Sequence, residues 1–265
     1  MSLIFPENEI EKRQQIETLM TEWKCNVKRP HRFVSDGFYP YYWNQPIRLL
    51  VIGREGRGLA NKDYIDVLLN DGYWVSTIGG RKINAIPFQR RLMKVVYGIV
   101  NGFPAFEEVP DAATIGHMVA KENGISFAWM NLSKESNEDD KKWETNMAAF
   151  EESYMESIEF IGKEISLLLP HVIISMNEAD RVKNVLEKIS DIKLPENPSA
   201  ETPSKWIKGV HDITFNIQGK PFTAIWINAY HFAAHNTRYI KVNDKDSFYN
   251  PICSAVYKLI NKNGV

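Results

Sequence analysis

Four short apolar runs punctuate the chain, and amphipathic stretches fill the intervals between them. IRLLVI (47–52) is apolar at nearly every position, the pattern of a strand covered on both faces of its sheet. ISFAWM (125–130) and HVIISM (171–176) read the same way. The fourth, KPFTAIWIN, follows HDITFNI across a Gln218-Gly219 turn, and the pair reads as a hairpin whose second arm is a core strand ending at Asn228.

Between the strands the period changes to that of a helix. Ile16, Leu19, Met20 and Trp23 fall on one stripe of a helix over 7–23. Phe88, Leu92, Val95, Val96 and Ile99 make another, with Pro87 at its start, where a missing N–H costs nothing. Asp111 reads as the cap of a helix running to Ala120 and closed by Asn123-Gly124. A long helix is expected over 144–169, stopped by Pro170; Asn177 is expected to cap the next, and a last helix carries Tyr249, Ile252, Val256 and Ile260. The polar run DIKLPENPSAETPSK (191–205) predicts a surface excursion or lid.

Apolar strands alternating with helices predict an α/β domain: three layers, α/β/α, around a central four-stranded, mainly parallel sheet. Residues 1–46 form an N-terminal helical extension packed on the core, and 47–265 form the domain itself. Length and composition add bounds. The 265 residues carry 33 acids against 32 lysines and arginines, so no global field announces a nucleic-acid partner and any such contact needs a local basic patch. Two cysteines, Cys25 and Cys253, cannot make a four-thiolate metal or iron–sulfur site and read as reduced thiols. The N-terminus lacks the pattern of a secretory signal and no run approaches the ~18 apolar residues of a membrane span. A cytoplasmic protein with no metal and no cofactor is expected.

Ligands of open α/β sheets gather outside the carboxyl ends of the strands. After the first strand comes GREGRG, with Gly53, Arg54, Glu55, Gly56 and Arg57; after the second, Asn131 and Lys134; after the third, Asn177; after the fourth, Tyr230, His231 and His235. A carboxylate, a carboxamide and an imidazole supply a base, a two-faced hydrogen-bonding reader and a donor to developing negative charge. The glycine spacing is GxxGxG rather than the dinucleotide GxGxxG, and Phe232 stands where a zinc-protease HExxH would need glutamate. Tyr73, Trp74, Phe88 and Trp129 include candidates for stacking on a base, against the ordinary reading of such aromatics as core.

VIGREG after strand one, MNLSK after strand two, HVIISM as strand three and INAYH after strand four resemble the uracil-DNA glycosylase superfamily. The resemblance implies a parallel four-stranded sheet and hydrolysis of the N-glycosidic bond of a flipped or single-stranded base. It puts Glu55 at the water-positioning site and Asn131 at the base-reading asparagine, with Gly53 and Gly56 lining the base. His231 falls at the histidine that opens the C-terminal motif. Arg54, Arg57, Lys134 and Arg238 would hold phosphates of DNA. Glutamate is longer than the residues usual at that site, and Phe232 replaces the proline that usually follows the histidine. Two rivals stay open: a nucleic-acid binder of the same fold without chemistry, and a small-molecule nucleoside or nucleotide hydrolase using the same strand ends.

Overall fold

The computed structural model describes residues 3–78, 80–138, 144–190, 204–217, 220–236 and 241–263. In chain order these form α1 (Glu7–Cys25), β1 (Gly37–Phe38), β2 (Leu49–Arg57), α2 (Tyr64–Asn70) and the small ribbon β3 (Thr77–Ile78) and β4 (Arg81–Lys82). Then come α3 (Pro87–Val100), α4 (Ala112–Gly116), β5 (Ala128–Asn137), α5 (Met147–Leu168), β6 (Val172–Met176) and α6 (Ala179–Ile189). The hairpin β7 (Ile207–Ile217) and β8 (Lys220–Ala229) precedes a π-helical turn (Asp244–Tyr249) that leads into α7 (Asn250–Asn263).

The main sheet has six strands in the order β1-β5-β2-β6-β8-β7, not the four expected. The four apolar runs do form its parallel centre, β5-β2-β6-β8. Both edges are antiparallel additions. β7 pairs with β8 along the predicted hairpin, and β1 pairs with β5 through Gly37 and Phe38. Two residues are too few to announce a strand in sequence, and β1 places part of the N-terminal segment inside the sheet itself.

Alternation along the strands divides the core. Leu49, Val51, Val172, Ile174 and Ile227 meet Leu92 and Val96 of α3 and Val256 of α7. Leu50, Ile52, Met130 and Ile173 meet Trp23 of α1, Ile161 and Ile165 of α5, and Val185 of α6. Both faces of the central strands are therefore covered, which is why the runs are apolar at consecutive positions. Each such side chain contributes about 1.5–3 kcal/mol on burial.

Several boundaries differ from the sequence reading. GREGRG is not a loop: β2 continues through it to Arg57, pairing Gly53 with Asn131, Glu55 with Ser133 and Arg57 with Asn137, with a bulge after Glu55. Neighbouring β5 supplies the hydrogen bonds that carry the glycines as strand. Asn177 does not cap α6; it adopts a left-handed turn at φ 61, and Glu178 stands at the cap position without a capping side-chain bond. The helix capped by Asp111 ends at Gly116 rather than Ala120; glycine is required at 116 because a Cβ there would lie 1.8 Å from the Trp74 carbonyl oxygen. Asn146 caps α5, and Leu169, left-handed at φ 46, closes it ahead of Pro170. Residues 191–203 of the expected excursion and the Gln218-Gly219 turn lie outside the described residues. Cys25 is exposed and Cys253 buried. Among the described residues no helix is long and apolar enough to cross a membrane.

Candidate functional site

Winding from β2 goes outward to β5, then returns across to β6 and on to β8. The crevice between the carboxyl ends of β2 and β6 is therefore the switch point where such sheets bind ligands. Arg54 of β2 bridges it: its Nε donates to Glu178 Oε1 at 2.6 Å, and Glu178 is buried and also takes a bond from Arg181.

Beside this bridge stands a wall of rings. Tyr64, the first residue of α2, stacks on Trp129 with centroids 5.6 Å apart. Phe88, at the start of α3, meets Trp129 edge-on at 6.0 Å and stacks on His231 at 5.2 Å. Asn131 lies behind the wall. Trp129 Nε1 donates to its Oδ1 at 3.2 Å, and its backbone N–H donates to Asp36 at 2.7 Å. The carboxamide Nδ2 is buried and has no hydrogen-bond partner among the described residues. A buried donor left unused costs about 1–3 kcal/mol, which a ligand acceptor would recover. Gly53 makes this arrangement possible. A Cβ there would sit 2.7 Å from Asn131 Oδ1 and 3.0 Å from the Trp129 ring, so the glycine admits the amide.

His231 is fixed by its own loop. Ala233 N–H donates to its Nδ1 at 3.1 Å, which leaves the proton of the neutral ring on Nε2. Desolvation where the ring packs on Phe88, and then the charge of Arg54, lower its pKa, although the residue as a whole is exposed. Arg91, three residues beyond Phe88 on α3, holds the loop from behind by donating to the carbonyls of Phe232 at 2.5 Å and Ala234 at 2.7 Å. Asp244 pairs with Arg91 at 2.7 Å and with Arg90.

Asn131 and His231 thus share the wall, one through Trp129 and the other through Phe88. Glu55 does not join them. Two residues beyond Gly53 and Asn131 the strands turn toward α5. Ser133 Oγ bonds Ser153 Oγ at 2.8 Å, and Glu55 lines a cavity of about 430 Å³ with Asn146, Ala149 and Phe150. There Glu55 Oε1 accepts from Thr145 at 2.9 Å and Asn137 at 3.0 Å and pairs with Arg57 at 3.3 Å. That cavity includes neither Asn131 nor His231. Gly56 is buried with ordinary clearance, 3.5 Å from Val34.

Lys134 is no phosphate contact. Its side chain is 1% exposed and its ammonium is held by Asp36 and by Glu164 at 2.9 Å. Burial raises Asp36 against the pull of Lys134; burial and then the charge of Asp36 push Glu164 well above the usual carboxylate range. The triad packs directly behind the Asn131 backbone. Arg238 lies outside the described residues. Of the other aromatic candidates, Trp74 is core, donating to Tyr39, while Tyr73 takes a bond from Gln89 at 2.6 Å.

Tyr64, Arg91, Asp36 and Glu178 were not legible as site residues. For Tyr64 there was a usable signal, since Asp63 accepts from Asp66 N–H as an N-cap just ahead of an apolar turn. The other three act through backbone atoms or buried ion pairs, which leave no pattern in sequence. Among the described residues no group of three or more His, Cys, Asp or Glu is placed to hold a metal ion. The chain matches no model of a known protein family and no curated protein.

Proposed function

We propose that this chain is a uracil-DNA glycosylase-like protein of three-layer α/β/α architecture. In this reading it takes an unpaired base against the wall of Trp129, Phe88 and Tyr64 and cleaves its N-glycosidic bond. One observation carries the reading: the buried Asn131 Nδ2, unpartnered, beside stacked rings at the switch point of a parallel sheet. A flat heterocycle presenting a carbonyl oxygen satisfies that donor and the rings together. His231, neutral with its proton on Nε2, donates to the oxygen on which negative charge develops as the base departs. The helices α3 and α7 over one face and α1, α5 and α6 over the other support the layered architecture.

Glu55 is the residue on which activity turns. Catalysis needs it to exchange its bonds with Thr145 and Asn137 for a water facing the sugar. Its present engagement favours a second reading, a nucleic-acid binder of the same fold without chemistry.

The test is base release, scored as abasic sites, on single-stranded oligonucleotides containing uracil or hypoxanthine. The glycosylase reading expects release by the wild type, with Asn131→Ala and His231→Ala each lowering it by about 10²–10³-fold and Glu55→Gln by a similar factor. Binding that depends on Asn131 without any release from either base would leave only the binder. Release that survives Asn131→Ala would remove the base-reading site altogether.

A further inference from the structure

The strand ends beside His231 carry a strip of exposed apolar and cationic groups that the ring wall does not use. Six large hydrophobic residues are exposed among the described residues, and two of them, Met147 and Tyr230, stand at this rim. Met147, 44% exposed at the start of α5, has its Sδ 3.9 Å from Arg54 Nη1. Arg54 is 37% exposed even while bridging to Glu178, and its charge bears on His231. Tyr230, also 37% exposed, directly precedes His231.

Tyr230 is anchored to Trp206 at two points. Its backbone N–H donates to the Trp206 carbonyl at 2.9 Å, and its ring meets the Trp206 ring edge-on at 5.5 Å. Trp206 is itself buried and packs on Phe248. Lys208 Nζ lies 4.3 Å from the centre of the Tyr230 ring, and exposed Lys205 lies 5.8 Å from that of Trp206. The described contacts of both ammoniums are with rings, so their charge remains available to an anion. From β2 to β7 the strip crosses three strand spacings, roughly 14 Å.

We infer that Tyr230, with Lys208, Lys205 and Arg54, is a stacking and phosphate platform for a short stretch of single-stranded nucleic acid passing His231 and the ring wall. A preorganised aromatic face beside cations suits unpaired bases, because every base has a π-face whatever its sequence. In a duplex those faces are already stacked on each other and closed to Tyr230. The near-neutral chain, 33 acids against 32 basic residues, also lacks the broad basic surface that non-specific duplex binding uses. The inference names the partner of the proposed site and rests on that reading only for its placement beside the ring wall; strand binding is measurable without any base release.

The probe is a fluorescein-labelled 15-nucleotide oligothymidine, single-stranded or annealed to oligoadenosine, read by anisotropy against wild type, Tyr230→Ala, Tyr230→Phe and Lys208→Gln. The single strand is expected to bind at least tenfold tighter than the duplex. Tyr230→Ala should weaken it roughly 5- to 150-fold while Tyr230→Phe keeps it. Lys208→Gln should make the dependence of log K on log salt shallower by about 0.7. Equal binding of single strand and duplex, no binding of either, or an unchanged affinity in a folded Tyr230→Ala overturns the platform. Tyr230-dependent binding without release from uracil or hypoxanthine oligonucleotides sinks the glycosylase reading and leaves the platform standing. Release with no Tyr230 dependence does the reverse.

Discussion

Two histidines, His171 and His231, have almost the same surroundings at opposite ends of the sheet. His171 enters β6 and stacks on Phe222 at 5.5 Å; its Nδ1 accepts the Arg48 N–H at 3.1 Å, and burial, then the Arg48 charge, hold its pKa at about 4. His231 leaves β8 and stacks on Phe88 at 5.2 Å; its Nδ1 accepts the Ala233 N–H at 3.1 Å, and burial, then Arg54, lower its pKa. Yet only His231 stands at the carboxyl ends of the strands, open to solvent, on the same ring wall as an unused buried donor. At the other end the Arg48 guanidinium contacts the Trp43 and Phe222 rings and bonds the Leu169 carbonyl beside a half-buried His171. A perturbed imidazole is therefore a weak sign of function on its own. What separates the two is which end of the sheet they occupy and what neighbouring hydrogen-bonding capacity is left over.

The strongest perturbation of this comparison is Arg91→Met. It removes bonds from a buried guanidinium to two carbonyls and to Asp244, and is expected to cost about 3 kcal/mol in denaturant unfolding. With its loop released, the His231 pKa should rise toward its ordinary value while that of His171 stays, as followed by imidazole NMR. If both move, or neither, the loop clamp is not what distinguishes them.

Next in size is a pH effect read at His171. A histidine whose folded pKa is depressed stays neutral in the fold while the unfolded chain takes up a proton. Its full stability is thus present above about pH 6.5 and is lost as pH falls toward 4. Discounted for partial exposure, the loss is roughly 2 kcal/mol. Unfolding at pH 7 and pH 4 should show His171→Asn losing that much less stability than wild type; equal losses would remove His171 as the cause.

Smallest is Gly53→Ala. Its methyl would press on the Asn131 amide and the Trp129 ring, for a cost of about 1–2 kcal/mol by thermal or urea unfolding. Gly56→Ala, whose methyl would make only ordinary van der Waals contacts, should stay within about 0.5 kcal/mol. Similar costs at both glycines would mean that Gly53 is not there to admit the amide.

Much of the scaffold could be read from the chain because it rests on local periodicity. The four apolar runs, the stripes of α1, α3 and α5, and the stop at Pro170 follow from which side chains must leave water. The two-residue strand β1 could not, since only β5 makes Gly37 and Phe38 a strand. Nor could the extent of β2, because glycines that read as a loop become strand once a partner offers hydrogen bonds.

Within the site, Asn131 and His231 were recognisable as polar groups following apolar runs, and Phe88 and Trp129 as candidate rings. Their sharing of one wall was decided by the packing of α2 and α3. Glu55 and Lys134 mark the limit. The resemblance gave both a place among the chemistry, but Glu55 is held by Thr145 and Asn137 in a cavity beside α5, and burial encloses Lys134 between Asp36 and Glu164. Sequence by itself determines which residues are apolar and at what period, and so the elements and their order along the chain. Where a polar side chain points, and whether its charge is spent on a neighbour, depends on contacts between residues far apart in sequence, and these exist only once the sheet and helices have closed around them.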